Sequence, residues 1–349
     1  MRQPYNTSLR SSDTATIIGG SALLAATALV QHGEPSKRAH HALVYDETRQ
    51  RVIMTGGSTP TDSGRSFAFF NDLWEFDGKR WTPRPESGER ISGVRLAFDS
   101  KLKRVVSFGG FTGQAATGAV RVLDDTGWRT IGMHPDMRAA EPGFVYDSKR
   151  ERFVAFGGST ESRQLHGRTW ELQSTTWTEV VGSNTPPARQ AHVMVFDEKR
   201  GRTVLFGGMG SGPMGQPPPS LGDTWEFDGK SWTQRQVAGP SARNGAGATY
   251  DTRRGRVILF GGAGATGFLG DTWSWDGAEW KKLSDVGPPP RAMGYLAYDK
   301  ARDRVVLFGG RNGYPNGDQN DTWEWDGTTW RRVTTSAARE TSPDHPDQL

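Results

Sequence analysis

The chain contains no cysteine among its 349 residues. Disulfide bonds, cysteine-ligated zinc, iron–sulfur clusters and a thiol nucleophile are therefore excluded. The formal net charge is only +4, without a block of five or more like charges, and this does not favour nucleic acid as a partner. The seven histidines are scattered. We therefore expect no metal and no cofactor, and we assign no catalytic residue.

Long apolar runs are also scarce, and residues 14–30 form the only long uncharged stretch. Arg2 and Arg10 precede it, and Ala26-Thr27-Ala28 has the form of a cleavage site. Residues 1–37 are therefore interpreted as a signal peptide or a membrane anchor. The alternative is an extra strand or a docked segment of the fold. The first interpretation predicts an extracellular, periplasmic or cell-envelope protein that meets the membrane only through this segment. The second predicts a cytoplasmic one.

Six copies of one pattern fill most of the remaining chain. The glycine pairs that mark the copies recur at steps of 48 to 54 residues, and self-similarity at about 50 residues is typical of propellers and repeat arrays. Each copy holds four short runs rich in β-branched and aromatic residues, which predict strands A to D. The pairs follow the apolar run of strand B at Gly56-Gly57, Gly109-Gly110, Gly157-Gly158, Gly207-Gly208, Gly261-Gly262 and Gly309-Gly310.

Two turns are indicated in each copy. Strand A ends at an Asp, such as Asp197, and an Arg, such as Arg202, stands five residues later in all six copies. We expect these opposite charges to face each other across the A–B hairpin and to stabilise it. Asp228-Gly229 predicts a two-residue type I′ turn between strands C and D. Both features are interpreted as structural.

Tryptophan is confined to one part of the repeat. All 13 tryptophans fall in the C–D half of a copy. One ring buries roughly 150–250 Å², which a lone four-stranded sheet cannot cover, so the even spacing favours a core between neighbouring blades over carbohydrate stacking. The tryptophans interpreted as structural in this way are Trp74, Trp81, Trp225, Trp232, Trp273, Trp280, Trp323 and Trp330.

The double glycine after an apolar strand and the ending Trp225-Glu226-Phe227-Asp228-Gly229 resemble the Kelch-repeat β-propellers. The resemblance covers residues 38–332 and implies an all-β, six-bladed propeller of four-stranded antiparallel blades around a central channel. We expect blades at about 38–85, 86–133, 134–184, 185–237, 238–286 and 287–332, closed by packing of the sixth on the first. Residues 333–349 are expected to be a disordered polar tail, and the protein a monomer.

Candidate ligand-binding residues precede strand A. In four copies an Arg stands eight residues before the Asp that ends strand A; in copies two and three the nearest candidates, Arg90 and Arg138, stand nine before. Strand A is innermost in Kelch-like propellers, so the resemblance implies a ring of guanidinium groups at the channel mouth, where anionic ligands are favoured. The alternative is that each Arg bonds carbonyl groups of the next blade. The candidates are Arg38, His41, Arg189, His192, Arg243 and Arg291.

The B–C loops vary, and variable loops on a rigid scaffold usually carry binding. We therefore predict a non-catalytic binding or scaffold propeller that recognises a protein or glycan, with an anionic ligand favoured, through its B–C and D–A loop face. The alternative is a sugar-acid isomerase or mutarotase in an Arg-lined channel mouth. Copper chemistry of the galactose-oxidase type is excluded because its Tyr–Cys crosslink needs a cysteine. The apolar loop residues predicted to contact the ligand, or else to cover the rim, are Phe67, Phe69, Phe70, Met209, Phe268 and Tyr314.

Overall fold

The computed structural model describes residues 33–85, 88–182, 184–213 and 216–334. The expectations for residues 1–32 and 335–349, which include the signal or anchor and most of the tail, lie outside the described residues. Within the described part, regular structure is almost entirely β, with one short 3₁₀ turn at Asp62–Gly64.

Six antiparallel sheets of four strands form the blades of a β-propeller, as predicted. Strands A to D of blade 1 are Ala42–Asp46, Arg51–Thr55, Leu73–Phe76 and Trp81–Arg84. Those of blade 2 are Arg95–Asp99, Arg104–Phe108, Ala119–Asp124 and Gly127–Met133. Those of blade 3 are Gly143–Asp147, Arg152–Phe156, Thr169–Gln173 and Thr176–Val180.

Blades 4 to 6 repeat the same order. Strands A to D of blade 4 are Val193–Asp197, Arg202–Phe206, Thr224–Phe227 and Trp232–Arg235. Those of blade 5 are Gly247–Asp251, Arg256–Phe260, Thr272–Trp275 and Trp280–Ser284. Those of blade 6 are Tyr295–Asp299, Arg304–Phe308, Thr322–Trp325 and Trp330–Val333.

Short strands in the B–C loops of three blades form additional two-stranded pairs, one of them with the segment that precedes strand A. In blade 1, Ser58–Thr61 pairs with Ser66–Phe69. In blade 4, Met209–Gly210 pairs with Arg189–Gln190, and in blade 5, Ala263–Gly264 pairs with Gly267–Phe268.

Strand B is buried on both faces because every sheet lies between two others. In strand B of blade 5, four of the five residues are buried, from Val257 to Phe260. Such a strand reads as a continuous apolar run rather than an alternating one. The buried residues form six clusters, each of which combines two neighbouring blades. One cluster joins Tyr45 and Val52 of blade 1 to Val306 and Phe308 of blade 6, so the last blade packs on the first as predicted.

In four blades, a strand D tryptophan joins the blade to the preceding one through a side-chain hydrogen bond. Trp232 Nε1 donates to Thr169 Oγ1 of blade 3 at 2.8 Å. Trp81 of blade 1 donates in the same way to Thr322 of blade 6 at 2.9 Å. Similar bonds start at Trp280 and Trp330. The contact that closes the ring is therefore of the same kind as the contacts within it.

The glycine pair makes room for the next blade. The N–H of Gly208 donates to the carbonyl of Arg243 in blade 5 at 2.9 Å. A Cβ on Gly207 would lie 2.6 Å from the same oxygen, and φ is 66° at Gly207 and 101° at Gly208. Only glycine adopts this conformation without strain and permits such an approach. The equivalent bond from Gly310 to Arg38 joins blades 6 and 1.

The predicted Asp–Arg charge pair across the A–B turn is present in blade 2, where Arg104 Nε lies 3.4 Å from the Asp99 carboxylate, but blade 4 pairs its charges differently. Asp197 and Arg202 are register partners across the hairpin. The Asp197 carboxylate, however, accepts from the backbone N–H of Arg200 at 3.0 Å and from its Nε at 2.6 Å. Arg202 instead lies 3.3 Å from the Asp228 carboxylate. Asp197 thus holds the turn itself, because its buried carboxylate finds the nearest donors three residues along the chain.

The C–D turn is a hairpin, but of another type than predicted. Phe227 pairs with Trp232, which leaves four residues in the turn rather than two. Gly229 alone among them has a positive φ, 96°. Asp228 accepts from the backbone N–H groups of residues 230 and 231 at 2.8 and 2.9 Å. This local bonding of the Asp side chain stabilises the wider turn and removes the need for a second positive φ.

Candidate functional site

A ring of six residues closes the channel on the face of the B–C loops. Each member stands six residues before the Asp that ends strand A, and each has a φ between 52° and 66°. The N–H of each donates to the carbonyl of the member in the preceding blade, at 2.7 to 3.3 Å. The members of this rim ring are His40, Gly93, Glu141, Ala191, Gly245 and Met293. Since the last bond returns from His40 to Met293, the circle is complete.

Four members of the rim ring are not glycine, although the left-handed conformation costs an ordinary residue on the order of 1 kcal/mol or more. The closed circle of hydrogen bonds offsets the energetic cost of this backbone conformation. Strained backbone of this kind is concentrated at functional sites in proteins. The side chains of the rim ring are thus presented at a defined position above the channel.

A cavity of about 960 Å³ lies above the rim ring, over blades 1 to 4. On one side its wall consists of Phe67, Phe69 and Phe111; on the other it includes Leu165 and Met209. Phe67 and Phe69 alternate along one short strand, so both rings project from the same face. Phe69 also packs against Phe111, with ring centroids 6.0 Å apart.

The floor of the cavity is polar. Ser58 and Ser92 lie there with hydroxyl oxygens 3.2 Å apart. His40 Nδ1 is hydrogen-bonded to the Glu141 carboxylate across the rim ring. Burial opposes ionisation of Glu141, but His40 and, more weakly, Arg95 outweigh it and hold the pKa of this carboxyl below its usual value. The floor therefore presents an ionised carboxylate with an imidazole partner.

The four arginines predicted to ring the channel mouth are buried instead. Their exposed fractions are 0% or 1%. Arg189 donates through two nitrogens to both carboxylate oxygens of Asp223, at 2.6 and 2.8 Å, and also to the carbonyls of Gly207 and Pro187. Trp225 Nε1 donates to the same carboxylate at 2.6 Å. Each guanidinium is therefore engaged inside its blade and presents no surface to a ligand.

The same Arg–Asp–Trp group occurs in four blades. Burial opposes ionisation of Asp223, Asp271 and Asp321, but the arginine and tryptophan hydrogen bonds hold the pKa of each carboxyl below its usual value. The complete groups are Arg38–Asp72–Trp74, Arg189–Asp223–Trp225, Arg243–Asp271–Trp273 and Arg291–Asp321–Trp323.

Blades 2 and 3 lack this group, and Arg90 and Arg138 are not its counterparts. The β-bridges align Ile91 and Ala139 with the buried arginines. The aspartate position is occupied by Ala119 in blade 2 and by Arg168 in blade 3. The two members of the ion pair are thus absent together, which avoids leaving a single buried charge.

His41 and His192 lie in the channel below the rim ring. Both are buried, with exposed fractions of 0% and 4%. His41 packs edge-on against Tyr295 and Phe308 of blade 6, and His192 against Phe156 of blade 3. Burial, with nearby arginine charge, lowers the pKa of both imidazoles well below the usual value. The sequence predicted these histidines just inside the channel mouth, and the structure places them in the channel below the rim ring.

The opposite mouth of the channel carries another ionic contact. Lys300 Nζ lies 2.6 Å from a Glu47 oxygen and 3.1 Å from a Glu198 oxygen. These residues belong to blades 6, 1 and 4. The ammonium group therefore links carboxylates of two other blades at the end of the channel on the A–B turn face.

The predicted loop contacts separate into three groups. Phe67, Phe69 and Met209 line the cavity. Tyr314 lies beside it, with its ring centroid 6.4 Å from that of Phe67 and its hydroxyl donating to the Gly64 carbonyl. The other two lie elsewhere: Phe70 packs under the Arg38 guanidinium, and Phe268 lies in a separate depression with Pro288, Pro289 and Pro290.

Sequence reasoning missed His40, Glu141 and Phe111. A signal was present for the first two. When the copies are aligned on the Asp that ends strand A, His40 and Glu141 share a column with Gly93 and Gly245. Two glycines in one column indicate a positive φ, and a polar residue in such a column indicates a projecting side chain. No comparable signal identifies Phe111.

No family model matches this chain. The chain is similar to part of the dynein alpha chain of the flagellar outer arm of Chlamydomonas reinhardtii, at 29% identity over 151 residues, or 40% of this chain. The match covers 3% of the dynein chain. A match of this extent does not show a family.

Two further findings apply to the described residues only. They contain no cluster of three or more His, Asp or Glu side chains placed to hold a metal ion. No helix among them has the length and apolarity needed to cross a membrane.

Proposed function

We propose that this chain is a non-catalytic binding propeller of the Kelch type, and that the cavity over blades 1 to 4 receives a segment of a protein or glycan partner. The observation that carries the proposal is the cavity itself. Its volume of about 960 Å³ lies at the upper end of the range of roughly 300–1,000 Å³ for ligand sites. Propellers commonly serve as binding scaffolds, and this cavity is built from the loops that vary between blades.

The chemistry of the cavity suits a chain-like ligand with apolar groups. Phe67, Phe69 and Met209 offer apolar walls, while Ser58 and Ser92 offer hydroxyls on the floor. Apolar walls with a few placed polar groups are typical of specific sites. Apolar side chains of a peptide, or the faces of sugar rings, fit the walls. Peptide amides or sugar hydroxyls fit the floor.

The Kelch type is supported by the physical role of the repeated residues. The glycine pair ends strand B where the next blade passes closest, as at Gly207 and its 2.6 Å approach to the Arg243 carbonyl. The strand D tryptophan joins two blades, as from Trp280 to Thr224. Both features recur along the chain at the spacing of the Kelch pattern.

The test is a selection of ligands from a random heptapeptide library and a glycan array, followed by fluorescence polarisation of the selected ligand with variants. Phe69→Ala should weaken binding about tenfold or more, because it removes a central aromatic contact. Phe268→Ala is the matched control, since Phe268 is an exposed loop phenylalanine outside the cavity. Equal sensitivity to both variants, or to neither, would contradict the proposal.

A second candidate function is acid–base catalysis on a sugar acid or a similar carbonyl compound. The observation that favours it is the His40–Glu141 pair on the cavity floor. A paired imidazole and carboxylate can move a proton to and from a bound substrate. Glu141→Gln should then abolish isomerisation or mutarotation of acidic sugars, measured by polarimetry, while Glu161→Gln at the cavity edge should not. If the unaltered protein does not turn over acidic sugars, the catalytic function is rejected and the binding function remains.

Export and a monomeric state are further proposals. Export rests on residues 14–30, and fusion of residues 1–37 to a periplasmic reporter enzyme tests it, since activity appears only if the reporter is translocated. The monomer proposal rests on the closed ring, which leaves no blade without a neighbour on either side. Light scattering should give the mass of one chain.

A further inference from the structure

The channel below the rim ring contains a small space bounded by all six blades. Its volume is about 90 Å³, enough for one small polyatomic ion with little water. The polar side chains that line it are His41, Arg95, His192 and Tyr295. All four can donate hydrogen bonds, and no carboxylate lines this space among the described residues. The rest of the lining is apolar or small.

Arg95 differs from the arginines in the Arg–Asp–Trp groups. Its guanidinium lies over the ring of Tyr295, 4.6 Å from the ring centroid. Its hydrogen bond to the carbonyl of Val94 is a long one, at 3.3 Å. Among the described residues it forms no ion pair, whereas Arg189 has Asp223 at 2.6 Å. A partly buried guanidinium without an ion-pair partner has N–H donors that can bind an acceptor and a positive charge that an anion can neutralise.

The two histidines supply an independent observation. His41 is 0% exposed and His192 is 4% exposed. Both ring nitrogens of His192 are without a hydrogen-bond partner among the described residues, whereas the His41 ring lies near the backbone carbonyl of Phe308 without a well-aligned hydrogen bond. Most buried polar atoms in proteins are paired, so the two unpaired nitrogens of His192 beside this space require an explanation. A bound acceptor supplies one.

We propose that the space lined by Arg95, His41, His192 and Tyr295 binds a small oxyanion, of the class of phosphate, sulfate or a short carboxylate. An oxyanion has several acceptor oxygens, and Arg recognises such groups with two parallel hydrogen bonds. The tyrosine hydroxyl and one N–H of each imidazole complete the donor set. This site is separate from the cavity above the rim ring and does not depend on the proposed partner binding.

The nearest negative charge does not oppose this assignment. Glu141 lies in the rim ring above the space and is hydrogen-bonded to His40. Arg95 is close enough to lower the pKa of the Glu141 carboxyl, although less than His40 does. Most of the Glu141 charge is thus met by His40, with which it forms its ion pair, and Arg95 remains among the residues that line the space.

The site should bind more tightly as pH falls. Burial lowers the pKa of both imidazoles, and a bound anion would favour their protonated forms. The charged and titratable groups that face them are mostly cationic, so without an anion they oppose protonation. For His41 these groups are Arg38, His40 and Arg95, and for His192 they are Arg189, Arg95 and Asp223. We expect the affinity for sulfate to increase as the pH is lowered below about 6.5, the ordinary pKa of an imidazole.

The experiment is isothermal titration of the full chain with sodium sulfate and with sodium phosphate at constant ionic strength. We expect saturable binding of one ion per chain. Arg95→Gln should weaken it about tenfold to a hundredfold, the range for loss of charge-assisted hydrogen bonds. Arg129→Gln is the matched control, because Arg129 lies on the outer strand of the same blade and is largely exposed. Absence of saturable binding, or equal affinity of Arg95→Gln, overturns the proposal.

A direct measurement keeps the test decisive if Arg95→Gln does not fold. Crystals of the unaltered protein are soaked in sodium selenate, and the anomalous signal of selenium locates the ion. The expected peak lies in the channel beside Arg95 and His192. Peaks confined to the surface overturn the proposal. The Phe69→Ala variant should bind sulfate normally, which distinguishes this site from the cavity above.

Discussion

The Arg–Asp–Trp group of blade 4 permits a quantitative test of what the buried charges contribute. Asp223→Ala leaves the Arg189 guanidinium, which is 0% exposed, with carbonyl partners alone. Loss of one partner from a buried ion pair costs about 3–5 kcal/mol, and the full burial of Arg189 places this variant at the upper end. Arg189→Ile leaves a carboxylate that is 19% exposed and still bonded to Trp225, so about 3 kcal/mol is expected.

Blade 2 suggests the double variant. There the equivalent positions are Ile91 and Ala119. Arg189→Ile with Asp223→Ala leaves no uncompensated charge, so its cost should be about 3 kcal/mol less than the sum of the single variants. Calorimetry measures this directly. With an unfolding entropy of roughly 2.1 cal/mol/K per residue, 4–5 kcal/mol lowers the Tm of a domain of about 300 residues by roughly 7 °C.

Two results would refute this reasoning. One is additivity of the two single variants within about 0.5 kcal/mol, which is expected only for independent sites. The other is a cost of Asp223→Ala below that of Arg189→Ile. Either would mean that the carboxylate and the guanidinium are not the coupled buried pair that the geometry describes.

Three further predictions concern stability, and calorimetry measures each. Because burial lowers the folded-state pKa of His41 and His192, the unfolded chain binds more protons below about pH 6.5. As the pH decreases below 6.5, the free energy of unfolding should therefore fall by up to about 1.4 kcal/mol per pH unit for each histidine. The His192→Gln variant should lose the contribution of His192 to this slope between pH 6.5 and pH 5. Trp280→Phe should cost about 1–2 kcal/mol through loss of its hydrogen bond, with an unchanged fold by circular dichroism. Gly207→Ala should cost about 1–3 kcal/mol, whereas Gly132→Ala, where a Cβ meets nothing within 4 Å, should be neutral within about 0.5 kcal/mol; equal effects would contradict the role given to the glycine pair.

The fold was predictable because its determinants repeat. Six glycine pairs and the regular tryptophans are local signals that recur in register, so a single accidental resemblance could not produce them. The turn chemistry was less accessible. The prediction paired Asp197 with Arg202 from their facing positions, but a carboxylate buried in a tight turn selects donors such as Arg200 by proximity.

The candidate site was predictable only in part, because it depends on contacts between distant residues. Phe69 and Met209 were identified from the composition of their loops, and both line the cavity. The burial of Arg189 depends on Asp223, which stands 34 residues away along the chain. Exposure of a repeated charged residue cannot be judged until its partner in the same blade is recognised. Such ion-pair partners can be found by aligning the six copies and identifying positions at which both charged residues are replaced in the same copy, as in blade 2.

The glycine-pair hydrogen bond is common to all six blade junctions, so closure of the ring does not depend on a contact that is special to one of them. The junction between blades 6 and 1 has this bond, from Gly310 to Arg38, and also the Trp–Thr bond that occurs at four of the junctions, here from Trp81 to Thr322. Opening the loop between any two blades and linking the present ends with a flexible segment should therefore give a circularly permuted protein with the same fold. Permutants opened between blades 4 and 5 or between blades 5 and 6 would display a fused domain away from the segments that line the cavity.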